Sequence, residues 1–166
     1  MFWAENIGTS EELKAWSSAP GLRIGNFEVY PLSLQSMIDL KLEENAFFTG
    51  SQILNGDIAA YTWRHMPEYD RSDPKHEQNQ KRFVKRFAKE TDPAGLIADI
   101  QAHIAAAFAD ATEPEPIAAI VAEFAQVYNL SPVDAAYTDL RVVFQTIRAI
   151  RAARRAIKAN FLTTNN

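Results

Sequence analysis

The sequence predicts a mainly α fold: a helical bundle with a small N-terminal β element and a long C-terminal basic amphipathic helix. Three observations carry that prediction. Apolar residues recur at steps of three and four through most of the chain, which is the spacing of one helix face. Helix starts are written out at Ser33, Asp92-Pro93 and Ser131-Pro132, residues that cap orphan backbone N–H groups or pre-set the first helical φ. The stretch with strand character, Leu22 to Leu32, is short and has Gly25-Asn26 in its middle, a turn signal that predicts a small hairpin or edge strand.

The elements follow in order. Thr9-Ser10-Glu11-Glu12 has capping-box spacing and predicts a short helix that Pro20-Gly21 ends. After the hairpin, Ser33 caps a helix whose buried face is expected to hold Leu34, Met37, Ile38 and Leu42. Glu44-Asn45 and Thr49-Gly50 bound a loop carrying Phe47 and Phe48. A helix over 56–66 presents Ile58, Ala59, Thr62 and Trp63 inward, and Pro67 stops it. Asp73-Pro74 starts a polar, basic helix to about Lys89, with Phe83, Val84 and Phe87 to bury.

The next helix, opened by Asp92-Pro93, has an apolar stripe of Leu96, Ile97, Ile100, Ile104, Ala107 and Phe108. Glu113-Pro114-Glu115-Pro116 reads as a stiff linker. Beyond it Ile117, Ile120, Val121, Phe124 and Val127 share a helix face. Ser131 and Asp134 frame one short helical turn that breaks near Tyr137-Thr138. From Asp139 to about Phe161 a long helix carries a heptad seam of Leu140, Val143, Ile147, Ile150, Arg154, Ile157 and Phe161. In domain terms, residues 1–136 read as a helical unit with the β element, and 137–166 as the long helix with a frayed tail, both within one domain.

Composition narrows the function. The chain has 166 residues, 47% apolar, with ten Phe, three Trp and five Tyr, enough for a real core. It has no cysteine, which removes disulfides, thiolate metal sites and Cys nucleophiles from consideration. No secretory signal pattern and no membrane-spanning apolar run is visible, so a cytoplasmic setting is expected and no membrane partner. Charge is arranged in blocks. Residues 91–139 hold eight acids and no bases, and residues 140–166 hold six bases and no acids, against a net charge of -4. The blocks can satisfy each other within the chain, between copies, or with a partner.

Motifs for chemistry are missing. His65, His76 and His103 make no metal-binding spacing, and His103, beside an apolar stripe, is expected to be a partly buried structural residue. There is no GxSxG and no phosphate-binding glycine loop, and the carboxylate pairs Glu11-Glu12 and Glu43-Glu44 are sequence neighbours that would point about 100° apart on a helix, which makes poor acid–base pairs. No catalytic residue, metal or cofactor is therefore expected, and an enzyme ranks last. Lys81-Arg82-Phe83-Val84-Lys85-Arg86-Phe87 interleaves cations with aromatics, and Arg141, Arg148 and Arg155 lie seven apart. Both could meet phosphates. The favoured reading is that Phe83 and Phe87 anchor their helix while the cations stay in water.

Two segments carry a resemblance. Pro31-Leu32-Ser33-Leu34, followed by Asn45-Ala46-Phe47-Phe48-Thr49-Gly50, is similar to an N-terminal pattern of small tailed-bacteriophage and prophage proteins. Tyr128-Asn129-Leu130-Ser131-Pro132-Val133-Asp134-Ala135-Ala136 resembles a turn near their end, which precedes an Ala- and Arg-rich helix. Ala46 stands where that family usually has Pro, and Asn129 where it usually has Gly. The family comprises tail assembly chaperones and minor tail components. The resemblance implies a non-enzymatic helical protein of the bacterial host cytoplasm that binds the tape-measure or tail tube protein.

The site expected on this basis is the C-terminal seam. Leu140, Val143, Phe144, Ile147, Ile150 and Ile157 would touch an apolar helical partner, with Arg148, Arg151, Arg154 and Arg155 steering acidic ones. Self-association is a second use of the same seam. A structural component of the virion is the alternative function, and a nucleic-acid-binding accessory protein the next.

Overall fold

The computed structural model describes residues 22–111 and 115–164, with side chains described up to residue 160. The helix expected from Thr9, the Glu113-Pro114 part of the linker and the Phe161 side chain lie outside the described residues. Within them the fold is mainly α, with one two-stranded sheet.

Strands β1 (Leu22–Ile24) and β2 (Phe27–Val29) pair antiparallel, with Leu22 opposite Val29 and Ile24 opposite Phe27. Ile24, Phe27 and Val29 are buried while Arg23 and Glu28 face solvent, the period-2 pattern of a one-sided sheet. The turn is tight because Gly25 takes φ 55 and its N–H donates to Asp99 Oδ2 at 2.8 Å. A Cβ there would meet Leu96 Cδ2 at 2.7 Å, so both the backbone angle and the close helix require glycine.

Eight helices follow among the described residues. They are α1 (Leu34–Leu42), α2 (Ala46–Thr49), α3 (Asn55–Arg64), α4 (His76–Phe87), α5 (Pro93–Ala107), α6 (Ile117–Tyr128), α7 (Pro132–Ala136) and α8 (Leu140–Thr164). The start signals work as read. Ser33 Oγ accepts from Ser36 N–H, Asp92 from Gly95 N–H and Ser131 from Asp134 N–H. Pro93 and Pro132 take the first helical turn, where a missing N–H costs nothing.

Three local expectations need correction. On α1 Leu34 and Met37 pack against the core as expected, but the fully buried residues are Ser36 and Leu40, and Ile38 is 41% and Leu42 78% exposed. Ser36 is tolerated inside because Ser33 and His65 meet its hydroxyl. Phe47 and Phe48 lie on a short helix, not in a loop, since the Asn45 side chain accepts from Phe47 N–H. Helix α4 starts after a turn in which Asp73 Oδ1 takes the Lys75 N–H, and Val84 is 55% exposed.

The interior has two apolar cores. One joins the hairpin to α1, α3, α4 and α5 through Phe27, Leu40, Ile58, Tyr61, Phe83 and Ile100. The other joins Leu32 and the end of α5 to α6, α7 and α8 through Ile120, Phe124, Leu140, Val143 and Ile147. Phe48 and Ile104 pack against both. Helix α8 is pinned at its start to the segment that leaves the hairpin: Leu140 N–H donates to Leu32 O at 3.0 Å, beside a Ser33–Asp139 bridge.

Candidate functional site

Helix α8 has two unlike halves. Leu140, Val142, Val143, Phe144, Ile147 and Ile150 are buried in the chain's own second core, none more than 4% exposed. This corrects the sequence reading for Leu140, Val143, Phe144, Ile147 and Ile150. A three-and-four seam records that a helix has an apolar face but not which molecule covers it, and here α6 and the end of α5 cover it. From Arg154 to Asn160 every residue is exposed, and Ile157 is 45% exposed. Of the expected contact residues, Arg154, Arg155 and Ile157 lie on this exposed outer half.

The basic block is met at home by the acidic block. Arg148 Nη1 is 2.9 Å from Asp110, and Arg151 reaches Glu115 at 2.8 Å and Glu123 at 2.5 Å. Arg154 Nη1 is 3.1 Å from the other Glu123 oxygen. These pairs tie α8 to α6 and to the segments between α5 and α6, and the Glu115 and Glu123 hydrogen bonds raise the Arg151 pKa further above its ordinary value. Arg148, Arg151 and Arg154 thus help hold α8 in place as well as lying on its surface. Arg155 lines a small crevice with Arg148, Phe144 and Ile120.

A second arrangement escaped the sequence reading. Between α1, α3 and the start of α8 lies a cleft of about 660 Å³, lined by Tyr30, Pro31, Ser33, Arg64, Tyr69 and Tyr137, among others. On one wall the buried Arg64 guanidinium bonds Asp39 at 2.9 Å, together with Glu43 and the Tyr69 hydroxyl. It also stacks 4.6 Å from the Tyr69 ring centre. Behind the cleft are His65 and His103, both buried, with ring centres 5.0 Å apart.

Geometry fixes their tautomers. His65 Nδ1 is 2.8 Å from Tyr61 O, a carbonyl that can only accept, so Nδ1 carries the proton and Nε2 is an acceptor 3.1 Å from the Ser36 hydroxyl, whose one proton also has Ser33 O in reach at 2.9 Å. His103 Nε2 donates to Tyr30 O at 2.9 Å, so its Nδ1 accepts from the Tyr61 hydroxyl at 2.7 Å. Burial pushes the His65 pKa down to about 3 and lowers that of His103 as well. The expectation of a structural His103 agrees with this placement.

Ser36 and His65 have the distance of a nucleophile and its base, but other features oppose that use. No carboxylate orients His65, and a base with a pKa near 3 has little driving force to take a proton at neutral pH. Ser36 Oγ is already an acceptor for the Ser33 N–H at 3.1 Å, inside the α1 cap. The pair ties α1 to α3.

On the basic α4 segment Phe83 and Phe87 anchor the helix, and the cations lie outside the core. Phe83 is 3% exposed, and Phe83 and Phe87 pack on the Phe27 ring at 5.3 and 6.1 Å, while Lys81, Arg82 and Lys85 are exposed. Among the described residues no cluster of three His, Asp or Glu side chains could hold a metal ion, and no helix is long and apolar enough to cross a membrane.

With this geometry in hand, comparison with known proteins adds no relative: no family model, curated protein or solved structure matches the chain.

Proposed function

We propose that this chain is a bacteriophage or prophage morphogenesis protein, a tail assembly chaperone that binds the tape-measure or tail tube protein through the outer half of α8. The observation that carries the proposal is the division of α8 at Arg151. A helix whose first half is clamped in a core and whose second half stands exposed presents a rigid arm with Ile157 flanked by cations.

The motif residues support the resemblance physically. Asn129 closes α6 at φ 51, a left-handed position that favours glycine first and asparagine next, so an Asn in place of the family's Gly keeps the turn. Ala46 is the first residue of α2, where proline is favoured but not required. Gly50 ends that helix at φ 73. The departures from the family pattern leave its backbone geometry attainable.

Co-expression with tape-measure and tail tube proteins, followed by pulldown, tests the reading. Binding that is lost with Ile157→Asp while the fold is kept is the expected result. Unchanged capture by that variant, or no capture of either protein by the native chain, would overturn it. The alternative, a structural virion component, predicts the chain in purified particles, where a chaperone of the host cytoplasm should be missing.

A further inference from the structure

The fold answers most cations of the last basic block with its own acids, and few of those on α4. On α8, Asp110, Glu115 and Glu123 answer Arg148, Arg151 and Arg154. On α4, among the described residues, no carboxylate is within ion-pair distance of Lys81, Arg82 or Lys85. Arg86 by contrast is turned home, 4.0 Å from Glu68 and 5.1 Å above the Phe27 ring. We infer that the outer face of α4, built from Lys81, Arg82 and Lys85, binds the phosphate backbone of duplex nucleic acid.

Helical geometry gathers these cations on one face. At about 100° per residue, Phe83 and Phe87 mark the inner side, and Lys81, Lys85 and Arg82 fall together on the opposite side with Gln78 among them. Glu77, one turn before Lys81, borders this face and lines the same depression as Lys81 and Lys85. Lys81 and Lys85 are one turn apart, a rise of about 6 Å, so both can meet one backbone strand.

The same face suits other anionic partners less well. A membrane surface would need bulky apolar side chains to insert, but Phe83 and Phe87 are committed to the core and leave Val84 alone outside. An acidic protein would need an anchoring pocket for a desolvated hot spot. The depression beside α4 is shallow, lined by Glu77, Gln80, Lys81, Val84 and Lys85, and has a carboxylate of its own. Phosphates require only a row of exposed cations, because released counterions supply the free energy.

The test is fluorescence anisotropy of a short duplex DNA of arbitrary sequence with the full chain, across roughly 50 to 200 mM salt. Binding should weaken steeply with salt. In Lys81→Gln/Arg82→Gln/Lys85→Gln the slope of log K against log salt should fall by about 2.7, at about 0.9 per lost contact. Lys41→Gln, an exposed cation on α1, should leave it unchanged. Circular dichroism of the triple variant should match the native chain. Absence of binding at low salt, an unchanged slope in the triple variant, or tighter retention on phosphatidylserine vesicles or polyglutamate than on DNA would each overturn the inference.

Discussion

The Tyr61 hydroxyl lies 2.7 Å from His103 Nδ1, deep in the N-terminal core, and joins two helices whose contacting residues are 42 positions apart. Tyr61 links both histidines into one network: its hydroxyl meets His103, which bonds Tyr30 O, and its backbone carbonyl meets His65, whose other nitrogen faces Ser36. Each ring nitrogen in it has a partner, so two imidazoles can be buried without charge. Removing the hydroxyl with Tyr61→Phe leaves the Nδ1 lone pair buried and unmatched. The expected loss is about 1–3 kcal/mol in urea unfolding. A stability equal to the native chain would show that the bond contributes nothing.

The same pair makes stability depend on pH. Burial holds the His65 pKa near 3 and lowers that of His103, while an unfolded imidazole titrates near its ordinary value of about 6.5. Below that value the unfolded chain binds protons that the folded chain refuses, so stability is full above about pH 6.5 and falls as pH drops toward the folded values. The limiting slope is about 1.4 kcal/mol per pH unit for each histidine. Urea unfolding between neutral pH and about pH 5 should show the decline, and His103→Gln should make it shallower. A native profile that is flat over this range would contradict the buried, neutral assignment.

Helix α8 allows a paired comparison. Ile150 is 1% exposed and Ile157 is 45% exposed on the same helix. Ile150→Asp places a charge in the second core and should cost more than about 4 kcal/mol, enough to unfold much of the protein. Ile157→Asp should change stability by no more than about 0.5 kcal/mol. Thermal melts of the two variants check this directly. Equal melting temperatures would mean that the two halves of α8 are not as different as their burial says.

Asp57 holds the α2–α3 corner. Its Oδ1 accepts from Ala46 N–H at 3.1 Å and its Oδ2 from Leu54 N–H at 2.8 Å, while its carbonyl accepts from Asn45 Nδ2 at 2.9 Å. Asp57→Ala strips both carboxylate bonds and should destabilise by about 1.5–3 kcal/mol for each bond to the charged group that was made at full strength. Asp57→Asn keeps one good acceptor and should lose less. Chemical denaturation of the two variants separates them, and an asparagine variant that is no better than the alanine would rule out the carboxylate as the staple.

What the sequence determined by itself was local. Ser33, Asp92 and Ser131 cap helices because a side-chain oxygen and an N–H three residues on are close in any helix start, whatever surrounds them. Gly25-Asn26 turns a hairpin for the same reason, and Phe83 and Phe87 share an inner face because four residues make about one turn. The mainly α class follows from the sum of such signals.

Tertiary structure alone decided what each face meets. Ser36 is buried and Leu42 exposed because the partner of Ser36 is His65, 29 residues away, and spacing on α1 holds no record of it. The cleft beside Tyr30, Tyr69 and Tyr137 draws residues from three distant segments. The seam of α8 reads as one continuous stripe from Leu140 to Ile157, yet α6 and α5 cover only its first half. Periodicity is a property of one helix, whereas burial is a property of two surfaces in contact, and only the folded chain brings both together.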